Sequence, residues 1–371
     1  MNQFGSKSQA SLVPELPAAF DGALLEVLRG LNCDLRTPSG LTAAAAAVQK
    51  LSDHYINHPD AATPYNQTWA RVASLAWYLP LNWLRAIAVI RRGIQVGFFS
   101  DLSTWVDFGS GLGAGSLALT QELGDQFRAG TNIEQGQSAI AIHREILGKL
   151  PDRYQTPRMD FMNEPPSRQA FNHGTLTMFS YSMTEIARLP DWALQGEALM
   201  IIEPATSEDG RRLLQTRQDL ISAGWSIWAP CTHAGKCPLL TESKRDWCHD
   251  RTEWIQPQWF TELDARLPMR NGTLTFSYLL ARRRPAPKNV RGLARLTGDL
   301  QREKGASRQM VCRGEKREFL SWQKKLGEPA DWPRGSLVSL DPGTPEKSKE
   351  LRLSPDHPGC RILGSLGEPQ D

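Results

Sequence analysis

The stretch "WVDFGSGLGAGS", Trp105 to Ser116, constrains the fold more than any other part of the chain. A short apolar strand runs into a turn carrying Gly109, Gly111 and Gly113, and a helix-forming run, "AGSLALTQELG", leaves it. Glycine allows positive φ and lets a ligand come close to the backbone. The first turn of the following helix offers unpaired N–H groups. Strand, glycine turn and helix in that order belong to an α/β unit.

The rest of the chain repeats the alternation. "QSAIAIHREILGKL" reads as a helix, and "TNIE" before it as a weak second strand. "TLTMFSYS" and "EALMIIEP" read as strands. "GRRLLQTRQDLISAG" reads as a helix leading to a strand in "WSIWA". "TLTFSYLLA" alternates, with Leu274, Phe276, Tyr278 and Leu280 on one side and Thr273, Thr275 and Ser277 on the other, the pattern of a half-buried strand. Strands alternating with helices predict a parallel α/β sheet. Upstream, residues 15–100 read as a helical N-terminal domain, with Trp83, Leu84, Ile87, Ile90 and Ile94 on one helix face. Residues 1–14 read as a disordered start, 101–284 as the α/β domain, 285–340 as a basic C-terminal region and 341–371 as a disordered polar tail.

The 371 residues are 40% hydrophobic and 22% charged, a globular composition. The apolar runs are shorter than the ~20 residues a bilayer span needs. The N-terminus has no signal or transit pattern. These readings predict a cytoplasmic protein with no membrane partner. Net charge is +3, unevenly spread: Arg282–Leu326 holds 14 Lys/Arg against 4 Asp/Glu, net +10. Such a block predicts an anionic partner, most simply RNA, with no DNA expected.

By glycine spacing alone the turn also satisfies a dinucleotide pattern, through Gly109, Gly111 and Ala114. Asp107 separates the readings. A carboxylate there repels a pyrophosphate but suits the cationic amino-acid end of S-adenosylmethionine. The run resembles the D/E-x-G-x-G-x-G signature of class I methyltransferases. That likeness implies Asp107, Gly109, Gly111 and Gly113 at the cofactor, Glu134 on the ribose hydroxyls and Asp160 near the adenine. It also implies a seven-stranded Rossmann-like sheet ending in a hairpin of "WSIWA" with "TLTFSYLLA". Ser180, Tyr181 and Glu185, at the end of the fourth strand, are then the candidate catalytic residues.

The segment 230–271 inside that hairpin carries "APCTHAGKCPLL" and "DWCHD". Cys231, Cys237 and Cys248 are spaced C-x5-C-x10-C. In a chain with few cysteines this points to metal, and four ligands are usual. Cys312 is the leading fourth ligand, with His233 and His249 as competitors. This motif, with "YLPLNWLRAIAVI", "IIEPATSEDGRRLL" and "FSYLLARR", resembles methyltransferase-like small-ribosomal-subunit assembly proteins, known from mitochondria and with bacterial relatives. The resemblance covers roughly residues 15–335. It implies a [4Fe–4S] cluster on Cys231, Cys237, Cys248 and Cys312, S-adenosylmethionine as cofactor, and the small ribosomal subunit or its rRNA as partner, in a bacterial cytoplasm. One departure is Thr184, in "SYSMTE", where those proteins commonly carry Asn near an acceptor. The expected function is therefore a methyltransferase-like iron–sulfur protein acting on or assembling the small subunit, an rRNA methyltransferase or a degenerate relative. The alternative is a catalytically inactive, zinc-stabilised RNA-binding module on the same scaffold.

Overall fold

The computed structural model describes residues 13–58, 61–154, 158–165, 171, 174–186, 188–287, 293–327, 333–341, 343–347, 349–354 and 360–362. The expected disorder of residues 1–12, and of 363–371 in the tail, lies outside them.

Helices open the chain: α1 (Ala18–Gly30), α2 (Pro38–Asn57), α3 (Thr68–Ala73) and α4 (Leu79–Gln95). Helix α2 starts at a Thr37 N-cap, whose Oγ1 accepts from the Gly40 N–H at 3.1 Å, with Pro38 in the first turn. Helices α3 and α4 join through a π-helical turn, Ser74–Tyr78, into one continuous rod. Thr68–Gln95 is long and apolar enough by length and composition to cross a membrane, unlike the shorter runs visible in the sequence. Its apolar window is 78% buried within the protein. Trp83, Leu84, Ile87 and Ile90 are buried as their spacing predicts, but Ile94, assigned to the same face, is exposed.

The α/β portion follows: β1 (Thr104–Phe108), α5 (Ala114–Leu123), β2 (Ala129–Ile133), α6 (Gln137–Lys149), β3 (Arg158–Met162), β4 (Thr175–Ser180), β5 (Ala198–Glu203), α7 (Ser207–Ser222), β6 (Ser226–Ala229), α8 (Pro238–Thr241), β7 (Asp250–Glu253), α9 (Gln258–Asp264) and β8 (Thr273–Arg282). The sheet runs β3-β2-β1-β4-β5-β8-β6. Strands β3, β2, β1, β4 and β5 are mutually parallel. Strand β8 is antiparallel to both β5 and β6, which is the hairpin the sequence suggests. The path has the expected seven strands. The short β7, from the cysteine-bearing segment, pairs β8 as an eighth.

Two expectations are corrected by packing. The N-terminal helices are not a domain with a separate core. Phe20, Trp77, Trp83 and Ile87 belong to the same buried cluster as Trp105, Met200 and Leu280 of the sheet. A helical layer with one apolar face buries it most readily against a sheet that needs a cover. Strand β8 is not half-buried: from Phe276 onward every residue is buried, because α4 covers one face and α7 the other. Segment 230–271 also joins that core. Its α9 docks on the N-terminal helices, with Phe260 stacked on Trp77 at 4.9 Å and Trp259 donating to Asp21 Oδ1 at 2.7 Å.

A second sheet follows, from β9 (Ala294–Leu296), β10 (Gln301–Arg302), β11 (Ala306–Cys312), β12 (Glu318–Gln323), β13 (Leu337–Leu340), β14 (Glu346–Lys347), β15 (Glu350–Leu353) and β16 (Cys360–Ile362). The tail from 341 reads as disordered in sequence, yet β14, β15 and β16 lie in it. Leu351 and Leu353 are buried with Leu296, Val311, Leu320 and Val338. These two leucines sit at alternate positions of one short strand. A composition dominated by Pro, Ser and Lys conceals so brief a signal.

Much of the basic block is also committed internally. Arg282 pairs Glu197 at 3.2 Å and Arg317 pairs Asp246 at 2.7 Å. Arg313 pairs Glu318 at 2.8 Å and Arg308 pairs Glu350 at 3.1 Å. Buried Arg295 donates to the Pro230 and Gly335 carbonyls at 2.6 and 2.7 Å.

Candidate functional site

The C-terminal ends of β1, β2, β4 and β5 gather the first group of residues. Gly109, Gly111 and Gly113 have φ of +63°, +51° and +87°. Side chains are excluded there sterically as well: a Cβ on Gly113 would meet the His143 ring at 2.2 Å, and one on Gly109 would meet Ser182 at 2.6 Å. Asp107 is fully buried. Its Oδ2 accepts from the Ser116 N–H at 3.1 Å, and Oδ1 has no partner among the described residues. Burial, against the Ser116 bonds, pushes its carboxyl up to about 7. Glu134 accepts from the Gly111 and Gly136 N–H groups at 2.9 and 2.7 Å, so it braces the loop.

Ser180 ends β4. Its Cβ lies 3.3 Å from where a Cβ on Gly115 would stand, and Asp107 Oδ2 lies 3.2 Å from the same point. Ser180 Oγ is buried and unpartnered among the described residues. Tyr181 has φ of +61°, a conformation non-glycine residues adopt rarely. Its N–H donates to the Ile202 carbonyl at 2.8 Å, and the Arg85 guanidinium lies 5.7 Å from its ring centre. Glu185 closes the next turn; burial, then the Glu134 carboxylate, raise its carboxyl. Asp160, expected near an adenine, is not brought here. It lies in mid-β3, on the sheet edge, level with Thr131, and is exposed in an ion pair with Arg158 at 3.3 Å. The weak strand signals around it hid its position relative to the strand end.

Sequence reasoning missed three neighbours. Glu203 ends β5, buried, with Oε1 accepting from the Met183 N–H at 3.0 Å and Oε2 unpartnered among the described residues. Burial pushes it up to about 8. "EALMIIEP" did signal it, as the carboxylate closing an otherwise apolar strand. Tyr65 comes from the helical layer, its hydroxyl 3.2 Å from a Gly111 Cβ position. His143 lies under the loop with both ring nitrogens unpartnered among the described residues, and burial lowers it to about 3. Neither residue has a local signal, because each arrives through tertiary packing.

Asp107 Oδ1, Ser180 Oγ, Ser182 Oγ and the Tyr181 hydroxyl are thus buried polar atoms without partners among the described residues, all around one glycine turn. Native proteins seldom leave such atoms unpaired unless a ligand or water satisfies them. A cationic amine beside Asp107 and a polar ligand over the turn meet that need, so the residues fit S-adenosylmethionine.

The cysteines form a second site, at the junction of the two sheets. Cys231 follows β6, Cys237 caps α8, Cys248 precedes β7 and Cys312 ends β11. Cys231 and Cys248 line one cleft. Cys237 and Cys248 pack together with Leu214, Leu239 and Met310. Burial, then the other three cysteines, push Cys312 well above the usual thiol range; burial with Cys231 and Cys237 pushes Cys248 up to about 12. Among the described residues, however, no three His, Cys, Asp or Glu side chains stand close enough to hold a single metal ion. The thiols converge without closing on one point, and as neutral groups they pack like small apolar side chains. A four-iron cluster attaches each thiolate to a different corner and so needs convergence rather than mutual contact. Of the competing ligands, His233 Nε2 lies 3.6 Å from Cys312 Sγ, while His249 Nδ1 faces Arg334 at 3.3 Å.

With β7 set aside, the strand order ends in an antiparallel last strand inserted beside the fifth. That order, with the glycine turn over a buried carboxylate, defines a protein of the class I methyltransferase fold. The family model described as mitochondrial small ribosomal subunit Rsm22 matches residues 98–320, and the chain belongs to that family. No curated protein matches the chain. Solved structures are similar at low identity. Precorrin-6y C5,15-methyltransferase from Geobacter metallireducens is 12% identical over 52% of this chain and 87% of that one, with a TM-score of 0.32. A methyltransferase from Thiobacillus denitrificans, in complex with S-adenosyl-L-homocysteine, is 11% identical over 54% and 91%, with a TM-score of 0.30. The plantazolicin methyltransferase BamL is 10% identical over 66% and 98%, with a TM-score of 0.33. Scores this low carry no weight, and the fold assignment stands on strand order.

Proposed function

We propose that this chain is a small-ribosomal-subunit protein that binds S-adenosylmethionine at the glycine turn and a [4Fe–4S] cluster at the four cysteines. One observation carries the reading: the matched family segment, 98–320, spans both the turn at 107–113 and all four cysteines, 231 to 312. Asp107 would hold the cofactor's ammonium, Glu134 its ribose, and Gly109, Gly111 and Gly113 its close approach. When bound, the cofactor supplies an electrophilic sulfonium methyl. Ser180, Tyr181 and Glu185 flank the place where an acceptor would stand. Cys231, Cys237, Cys248 and Cys312 would hold the cluster, and the C-terminal sheet would meet rRNA. A bacterial cytoplasm is the compartment this reading favours.

Asp107 must be ionised to pair an ammonium. Its carboxyl sits near 7 without ligand, so cofactor affinity should rise with pH through about 7 and then level. Asp107→Asn should weaken binding at least ~10-fold, about 1.4 kcal/mol, and flatten that dependence. Calorimetry across pH reads both; unchanged affinity in the variant would exclude the glycine-turn site. For the metal, iron, sulfide and zinc per chain are measured on protein purified without oxygen. Four irons lost in Cys237→Ser support the cluster, and one zinc favours the RNA-binding module instead.

A further inference from the structure

Helix α7 turns one stripe inward: Gly210, Leu213, Leu214, Arg217 and Leu220. Four of these suit a core. The fifth is an arginine, 1% exposed. Its Nε donates to Cys231 Sγ at 3.1 Å, and its Nη2 donates to the His233 and Gly235 carbonyls at 2.8 and 3.0 Å. Among the described residues Nη1 is buried without a partner, and the charge-bearing groups that act on the guanidinium are Cys231, Cys237 and Cys312 rather than carboxylates. Arg217 also lines a cleft with Cys231 and Cys248.

A guanidinium stays charged in proteins, and taking one out of water costs several kcal/mol unless an anion faces it. Here the groups facing it are thiols and two carbonyls. Neutral thiols do not balance the charge. A metal centre held by four thiolates does, since four negative ligands outweigh a divalent ion or a doubly charged cluster core and leave a net anion.

We propose that Arg217 is the fixed counter-cation of the thiolate centre and the clamp that presets its first ligand loop, 231–235. The proposal rests on the metal reading above, and it concerns a positioning residue rather than a ligand. Two effects follow from the geometry. The charge favours the state with one more electron. The three-donor fork holds Cys231 in place before metal arrives, so removing it should cost the ~10- to 100-fold in metal retention typical of groups that orient a ligand.

The test uses the full chain, reconstituted without oxygen as wild type, Arg217→Gln and Arg217→Lys, with thermal melts to monitor folding. Iron, sulfide and zinc per chain are measured first. The midpoint potential is then titrated spectroscopically, and the rate of metal loss to a chelator is followed. Arg217→Gln should shift the midpoint negative and lose metal ~10-fold faster or more. Arg217→Lys, which keeps the charge without the fork, should hold a potential near wild type yet still lose metal faster. If the centre is zinc, chelator competition alone reads the same loss. A folded Arg217→Gln with wild-type potential and retention would overturn the proposal and leave the metal reading standing. If Arg217→Gln does not fold, metal loss from Arg217→Lys at the wild-type rate would overturn the clamp. A wild type that takes up neither iron–sulfur nor zinc, and behaves like Cys237→Ser, would sink both.

Discussion

Single residues here are governed by what burial does to charge. Glu203 is the clearest case. Its folded carboxyl is raised from 4.5 to about 8, so between those values the folded chain keeps a proton that the unfolded chain has released. Its contribution to stability is therefore present below 4.5 and is lost as pH rises through about 8. Glu203→Gln keeps an oxygen for the Met183 N–H and removes the titration. The variant should match wild type near pH 4.5 and exceed it by a few kcal/mol above pH ~9. Melting curves of cofactor-free protein across that range measure it, and parallel curves for the two proteins would refute the buried-acid account. Some of this was legible in the chain: Asp107 and the three glycines announced themselves by type and spacing. The position of Asp160 in mid-β3 was not legible, since a carboxylate amid weak strand signals carries no mark of its distance from the strand end.

At the level of elements, short strands in polar sequence are the hard case. Strand β15 contributes two inward leucines, and its register with β12 sets Leu351 beside Leu320. Leu351→Asp would bury an unpaired charge among Leu296, Val311 and Val338, at a cost of about 3 kcal/mol or more. We expect early proteolysis within residues 293–354 and a lower melting temperature. An unchanged digestion pattern would mean the tail does not pack. Because β11 of the same sheet carries Cys312, this variant should also release metal more readily. The long helices were simpler to anticipate, since Trp83, Leu84, Ile87 and Ile90 repeat over several turns. Ile94 marks where the pattern outran the packing: in the last turn of α4 the buried position is Gly93, against Phe99 and Leu280, and Ile94 faces outward.

Across the whole molecule, charge is partitioned between internal pairing and surface. Several arginines of the basic block are bound to carboxylates or carbonyls, whereas Lys304, Lys316, Lys324 and Lys325 are exposed. Under the rRNA reading these lysines neutralise backbone phosphates. Changing all four to Glu should weaken binding to small-subunit RNA strongly. The slope of log affinity against log salt should fall by ~0.7 for each single-strand phosphate that is no longer neutralised. A slope equal to wild type would move the RNA surface elsewhere. The net +10 of the block thus overstates the charge available to a partner, because composition does not record which cations already have one.

The sequence by itself determined the α/β class, the glycine turn with its carboxylate, the helical layer and the cysteine motif. All of these depend on residue type at fixed local spacing, where periodicity and steric freedom act within a few residues. Tertiary structure alone decided that the helical layer shares its core with the sheet. It also decided that Cys312, already grouped with the other cysteines in sequence, arrives on a strand of a second sheet, and that Glu203, Tyr65 and His143 gather at the turn. Arg217, an arginine in a core stripe, became meaningful only with Cys231 beside it. These pairings join residues tens to hundreds of positions apart. Their energies depend on burial and on the partner present, and neither is encoded in any local stretch.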